Sequence, residues 1–188
     1  HSKDLGRVVD SEIGGDFEKL IVNVMQAVQE EYDPDFHTDE KMAEDVEELH
    51  DHGIGRWGTN EKGLFKILCA SPPEYLKRLN MAYAEKYGYT LSKALEKELK
   101  GDTEEAALFT LGMKIQPYET MAGLIKKACK GFGTNELLLT ACLIRFQSVL
   151  KEVETAHVEM YSKTIADRVK EETRGDYEKV LLEVVKAG

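Results

Sequence analysis

Proline is scarce, with only 4 in 188 residues, and no segment alternates apolar and polar residues for long enough to make a sheet. Both absences point to helices. No apolar run approaches the roughly 18–20 residues that span a bilayer. The opening "HSKDLGRVVD" also lacks the apolar core of a secretory signal. Basic residues are the minority: 25 Lys and Arg face 35 Asp and Glu, for a net charge of -10. That balance argues against direct attraction to DNA, RNA or an anionic membrane, so any such partner needs a bridging cation. The 3 cysteines, Cys69, Cys129 and Cys142, are odd in number, far apart and set among apolar neighbours. They read as buried, reduced thiols of a cytoplasmic protein rather than a disulfide or metal site.

What the chain does have is a repeat. "GRWGTNE" at 55–61 returns as "KGFGTNE" at 130–136, so Gly58 and Gly133 stand 75 apart. A second element, Glu-x-x-Gly-Asp, occurs three times: Glu12 with Gly15-Asp16, Glu98 with Gly101-Asp102, and Glu172 with Gly175-Asp176. The last two copies are 74 apart. Residues 1–32 then read as the tail of one repeat, 33–38 as a linker, and 39–115 and 116–188 as two full repeats. The chain is expected to start inside a repeat and to be a piece of something longer.

Between these marks the apolar period is helical, as in Met42, Val46 and Leu49, or Met121, Leu124, Ile125 and Ala128. The pattern predicts an all-α fold with helices near 39–52, 60–70, 73–87, 90–99 and 103–115. The second repeat places them near 117–130, 135–146, 148–161, 163–171 and 176–187. Ser71-Pro72-Pro73-Glu74 has capping-box spacing, and Gly88 is placed to close the helix that follows. Asp16, Asp102 and Asp176 are expected to cap the helix after each glycine, and Thr59 and Thr134 the helix after each glycine loop.

Gly53-x-Gly55-x-x-Gly58 has the spacing of a dinucleotide-binding turn. Such a turn needs a strand before its first glycine, whereas the polar amphipathic "DEKMAEDVEELHD" precedes this one, and the second copy retains only Gly131-x-Gly133. Nucleotide binding is the weak reading. His50-Asp51-His52 resembles a metal cluster, but residues two apart on a helix do not share a face. No nucleophile, base and orienting group assemble from spacing, so an enzyme is not expected.

A helix that ends through glycines turns unpaired carbonyls outward. Several carbonyls suit Ca²⁺, which takes six to eight oxygens and commonly a bidentate carboxylate. From Thr59 there are 38 intervening residues to Glu98, the glutamate of the second repeated element.

Gly-x-Gly-Thr followed after 38 residues by Asp or Glu, on a 75-residue five-helix repeat, resembles the annexin family. The resemblance covers practically the whole chain. "Arg56-Trp57-Gly58-Thr59" is similar to the third annexin repeat and "GDYEKVLLEVVKAG" to the end of the fourth. It implies five-helix repeats in a right-handed superhelical arrangement and calcium-dependent, reversible binding to anionic membranes. It further implies one Ca²⁺ held by the carbonyls of Gly53, Arg56 and Gly58 with both oxygens of Glu98. A second would be held by the carbonyls of Cys129, Gly131 and Gly133 with Glu172. The second repeat departs from the pattern, since only 37 residues separate Thr134 from Glu172 and the 38-residue position is Thr173. Alignment on Glu-x-x-Gly-Asp favours Glu172, with one residue lost between the second and third helices. Gly-Thr-Asn also replaces the usual Gly-Thr-Asp at Asn60 and Asn135, which is expected to alter the helix start more than the metal site. Glu12 lacks a glycine loop in this chain.

Three carbonyls and one carboxylate leave Ca²⁺ short of oxygens and net positive, so a lipid phosphate can complete the site. Trp57 and Phe132 stand immediately before the last loop glycine of each copy and are the expected membrane contacts. The implied partners are anionic phospholipid membranes, on which a cytoplasmic protein sits peripherally, and no nucleic acid. The alternative is a cytoskeletal or structural scaffold of annexin fold with weak or degenerate calcium sites.

Overall fold

Glycine and proline positions set the helix boundaries. The computed structural model describes residues 5–26, 29–51, 61–131 and 133–188, which fall into two compact units, His1–Ile115 and Gln116–Gly188. Among the described residues every regular element is helical.

In the first unit α1 (Leu5–Glu12) and α2 (Gly15–Met25) precede α3 (Asp39–Leu49), α4 (Glu61–Ala70), α5 (Pro73–Tyr87), α6 (Leu91–Glu98) and α7 (Gly101–Ile115). Helix α5 begins with Pro73, whose fixed φ suits a first helical position, and ends where Gly88 takes φ 77°. Ser71 does not cap it. Pro72 occupies the N-cap, one residue later than the capping-box spacing suggests, and Ser71 is buried instead. Its carbonyl and that of Cys69 accept hydrogen bonds from Lys114 Nζ at 2.8 and 2.6 Å, so a lysine of α7 satisfies the end of α4. Burial holds the Lys114 ammonium below its ordinary pKa.

The core of this unit joins Leu20 of α2 to Val46, Leu64, Phe65, Leu79 and Leu95. Each such fully buried leucine contributes about 1.5–3 kcal/mol. Helix α2 packs against both α4 and α7. The connector before α3 is held by its own polar groups. The Glu30 N–H donates to Ala70 O at 2.8 Å, and the buried His37 ring lies against Tyr32, Phe36 and Tyr75. The buried carboxylate of Asp45 accepts from Tyr75 Oη at 2.7 Å and Lys41 Nζ at 3.1 Å.

The second unit comprises α8 (Pro117–Ala128), α9 (Glu136–Arg145), a 3₁₀ turn (Gln147–Val149), α10 (Leu150–Tyr161), α11 (Ile165–Glu172) and α12 (Gly175–Ala187). Helix α8 packs on α9 and α10, and α12 on α9 and α11. Glu61 and Glu136 open equivalent helices 75 apart, whereas Leu91 and Ile165 open equivalent helices 74 apart. The missing residue therefore lies between α9 and α10. There the 3₁₀ turn stands in place of the proline-led first turn of α5.

Gly15, Gly101 and Gly175 each open a helix at φ 68°, 60° and 68°. The aspartates after them do not cap. No side chain bonds the helix start at α2 or α12, and Asp16 and Asp176 instead face Lys19 and Lys179 three residues on, at 2.7 and 2.9 Å. The positive-φ glycine makes the turn, and the acid favours the positive helix N-terminus from inside the first turn.

Candidate functional site

The loop between α8 and α9 starts from a tightened helix end. The N–H groups of Cys129 and Lys130 reach back only three residues, to Lys126 O and Lys127 O at 3.2 and 3.1 Å. Gly131 and Gly133 then take φ 107° and 90°, values a side chain would strain. Asn135 N–H closes the loop on Ala128 O at 2.8 Å. The carbonyls of Cys129, Gly131 and Gly133 accept no hydrogen bond from the backbone of another described residue.

The glutamate arrives from the turn between α11 and α12. Glu172 is the last residue of α11; Thr173 and Arg174 are extended, and Gly175 reverses the chain. The Thr134 hydroxyl donates to Glu172 O at 2.9 Å and lies 3.3 Å from Glu172 Oε2. One threonine thus ties the glycine loop to the glutamate. Thr173, the residue at the 38-residue spacing, is 4% exposed, and its hydroxyl donates to Val169 O at 2.7 Å. Its hydroxyl is engaged by the backbone of its own helix. Burial, and then the nearby Glu172 charge, push the Cys129 thiol up to about 11, so it stays a thiol and only its carbonyl is a useful ligand.

Thr134 was the expected cap of α9, and the structure corrects this. Asn135 is the N-cap, its Oδ1 accepting from Leu138 N–H at 3.0 Å. An amide oxygen at this position does what a carboxylate would, which frees the threonine hydroxyl for Glu172.

In the first unit the same turn recurs. Glu98 ends α6, Leu99 is extended with its N–H on Leu95 O at 2.8 Å, and Gly101 reverses the chain. Glu98 is partly exposed. Gly53, Arg56, Trp57, Gly58 and Phe132 lie outside the described residues. Glu12 ends α1 in an equivalent turn and is exposed. His50 stacks on Tyr87 at 3.9 Å and pairs with Asp51 at 3.2 Å, a polar helix end, while His52 lies outside the described residues.

Among the described residues no group of three or more His, Cys, Asp or Glu side chains is placed to hold a metal. A cation here would rest on carbonyls and a single carboxylate, and loop carbonyls together with a part-exposed glutamate are the donor set of a hard ion. The sequence fixes the spacing of Thr134 from the glutamate, but spacing does not say which hydroxyl bonds what. No helix among the described residues is long and apolar enough to cross a membrane.

Comparison with known proteins identifies the family and the fold. Residues 44–109 and 120–184 match the annexin family model. Mouse annexin A13 is 30% identical over 183 residues, covering 94% of this chain and 57% of that protein. The solved annexin III superposes with a TM-score of 0.88 at 26% identity, over 99% of this chain and 57% of that one. A calcium-bound annexin (Sm)1 shares the fold, with a TM-score of 0.80 at 23% identity over 98% of this chain and 54% of that one. The chain belongs to the annexin family. Annexins are all-helical repeat proteins that generally bind phospholipid in a calcium-dependent way and are not enzymes. The chain spans about half the length of the curated relatives it matches.

Proposed function

We propose that this chain binds anionic phospholipid surfaces in a calcium-dependent, peripheral manner, through one site in residues 39–115 and one in 116–188. In the second, the carbonyls of Cys129, Gly131 and Gly133 and the carboxylate of Glu172 would hold Ca²⁺. In the first, the carbonyls of Gly53, Arg56 and Gly58 and the carboxylate of Glu98 would do so. The ion supplies the positive charge that a chain of -10 otherwise lacks toward an anionic headgroup. The observation that carries this reading is the Thr134 hydroxyl, which ties Glu172 to a loop whose glycines take positive φ and whose Cys129, Gly131 and Gly133 carbonyls accept from no other described backbone group. A single carboxylate leaves the site undersupplied in oxygen, so headgroup phosphate is the natural completing ligand. Trp57 and Phe132 are assigned to the interface, where aromatic rings favour the headgroup level. A cytoplasmic setting follows from this reading.

Cosedimentation with phosphatidylserine-containing vesicles, in calcium and in chelator, tests the proposal. Binding is expected only with calcium, with a blue shift of Trp57 emission. Equal sedimentation in both conditions, or none in either, would favour a scaffold with degenerate sites.

A further inference from the structure

The connector before α3 leaves one buried donor without an acceptor. His37 is 1% exposed, and its Nδ1 lies 3.1 Å from Asp33 N and 2.9 Å from Asp33 O. That carbonyl already accepts from His37 N–H at 2.7 Å and Phe36 N–H at 3.2 Å. The Asp33 N–H has no other acceptor among the described residues. Nδ1 therefore accepts from Asp33 N–H, and the ring proton sits on Nε2. No described residue meets Nε2 with a hydrogen bond, and Glu30 Oε2, 3.6 Å away, is too far for one. Nε2–H borders a cleft of about 160 Å³, built within the first unit from the connector, α3, α4 and the start of α5. A water takes up roughly 30 Å³, so the space suits a small organic molecule. The Asp45 carboxylate in its lining is already closed by Lys41 and Tyr75. Phe36, Ile67, Ala70 and Tyr75 supply apolar wall, and the exposed Glu30, Glu48 and Lys66 complete the lining.

We propose that this cleft binds a small α-amino acid with an apolar side chain, a role separate from the calcium sites. The ligand carboxylate accepts from His37 Nε2–H, and its ammonium donates to Glu30. A carboxylate alone would face the Glu30 charge uncompensated, and an amine alone would leave Nε2–H unmet. The 3.6 Å between Nε2 and Glu30 Oε2 matches a ligand whose oxygen and nitrogen lie side by side, as they do across an α-carbon. With Lys41 and Asp45 paired, the remaining lining charges are two acids, Glu30 and Glu48, against one base, Lys66. A zwitterion suits that balance better than an anion does. The side chain lies on Phe36, Ile67 and Tyr75, where apolar surface leaves water.

Leucine is the probe, titrated into the full chain in chelator and without lipid, which keeps the test independent of calcium. The nitrogen shifts of the His37 imidazole are the readout. Isoamylamine lacks the carboxylate of leucine, and isocaproate lacks its ammonium. Leucine is expected to saturate the shifts, with each analogue at least about tenfold weaker, the lower end of what a hydrogen bond to a charged group is worth. Glu30→Gln changes an exposed side chain, so helicity should persist while leucine binding weakens by a similar factor. The same spectra report the tautomer, and a proton on Nδ1 would overturn the proposal by removing its donor. No shift with leucine up to about 10 mM, where even a millimolar site is about nine-tenths filled, would mean that the cleft holds only water and would also overturn it. So would an analogue that binds as well as leucine, or a Glu30→Gln chain that binds leucine unchanged.

Discussion

The α3–α7 and α8–α12 sets build the same turns around different interiors. Where the first has Tyr83 on α5 and Ala94 on α6, the second has His157 on α10 and Arg168 on α11, each 74 residues on. Tyr83 and Ala94 are apolar filling, and the Tyr83 ring packs against Tyr87 and Tyr89. In the second set Arg168 Nε donates to His157 Nε2 at 2.8 Å, which puts the ring proton on Nδ1, where it donates to Lys163 O at 2.6 Å. Burial, aided by the Arg168 charge, lowers the His157 pKa from its ordinary value near 6.5, against the opposing pull of the Lys163 carbonyl. The polar pair replaces a hydrophobic one without altering the turn that ends at Glu98 or Glu172.

Other equivalent positions keep their role with new chemistry. Leu91 N–H is met by Asn80 Oδ1 at 3.0 Å, and Ile165 N–H by Glu154 Oε2 at 2.8 Å. Gly88 and Ser162 both terminate the third helix of their set at positive φ, 77° and 53°. The difference teaches that the positions of the turns are held fixed while the groups that satisfy them vary.

The largest expected effect tests whether the two glutamates are as equivalent as their turns. Glu98→Gln with Glu172→Gln should raise the calcium needed for vesicle binding more than about tenfold, because each site loses its only carboxylate. Of the single variants, Glu98→Gln should be the more damaging, its loop having the unshortened 38-residue spacing. Vesicle titration at fixed protein checks both, and unchanged calcium dependence in the double variant would dismiss the assigned ligands.

Next comes the buried polar pair. Arg168→Ala should destabilise the protein by about 2–4 kcal/mol, leaving a cavity and an unpaired His157 nitrogen. Adding His157→Tyr recreates the Tyr83/Ala94 combination and should recover part of that loss in urea melts. No recovery would show that the two interiors are not interchangeable.

The pair also predicts an acid sensitivity for which the first set has no counterpart at this position. His157 is held neutral when folded, so its contribution is complete above about pH 6.5. Below that, the unfolded chain takes up a proton that the folded chain resists, and stability falls by up to about 1.4 kcal/mol per pH unit until the folded pKa is passed. Tyr83 stays protonated throughout, burial raising its pKa further. Melting curves of wild type and His157→Tyr between pH 7 and 5, a range set by the ordinary histidine pKa, should diverge as pH falls. Parallel curves would assign the acid sensitivity elsewhere.

The smallest effect concerns the helix end. Ser162→Gly should stabilise by about 1 kcal/mol, because a side chain at positive φ is strained where glycine is not. Gly88→Ser should lose a similar amount. Chemical denaturation reads both, and a neutral Ser162→Gly would mean that the turn relaxes around serine.

The sequence by itself determined the helices, the repeat and the turns. These depend on local causes: apolar spacing of three and four residues, proline at a first helical position, glycine at positive φ. Family membership was legible for the same reason, since the glycine loop and the Glu-x-x-Gly-Asp element are contiguous strings at a fixed separation. Only the tertiary structure decided which groups satisfy one another. Local pattern makes Thr134 a cap, whereas its hydroxyl bonds Glu172, and it makes the aspartates of Gly-Asp caps, whereas no side chain caps α2 or α12. Lys114 on the end of α4 and Arg168 on His157 left no mark in any local pattern. Hydrogen bonds between residues distant along the chain depend on how helices pack, and packing depends on volumes and burial that a one-dimensional pattern does not contain.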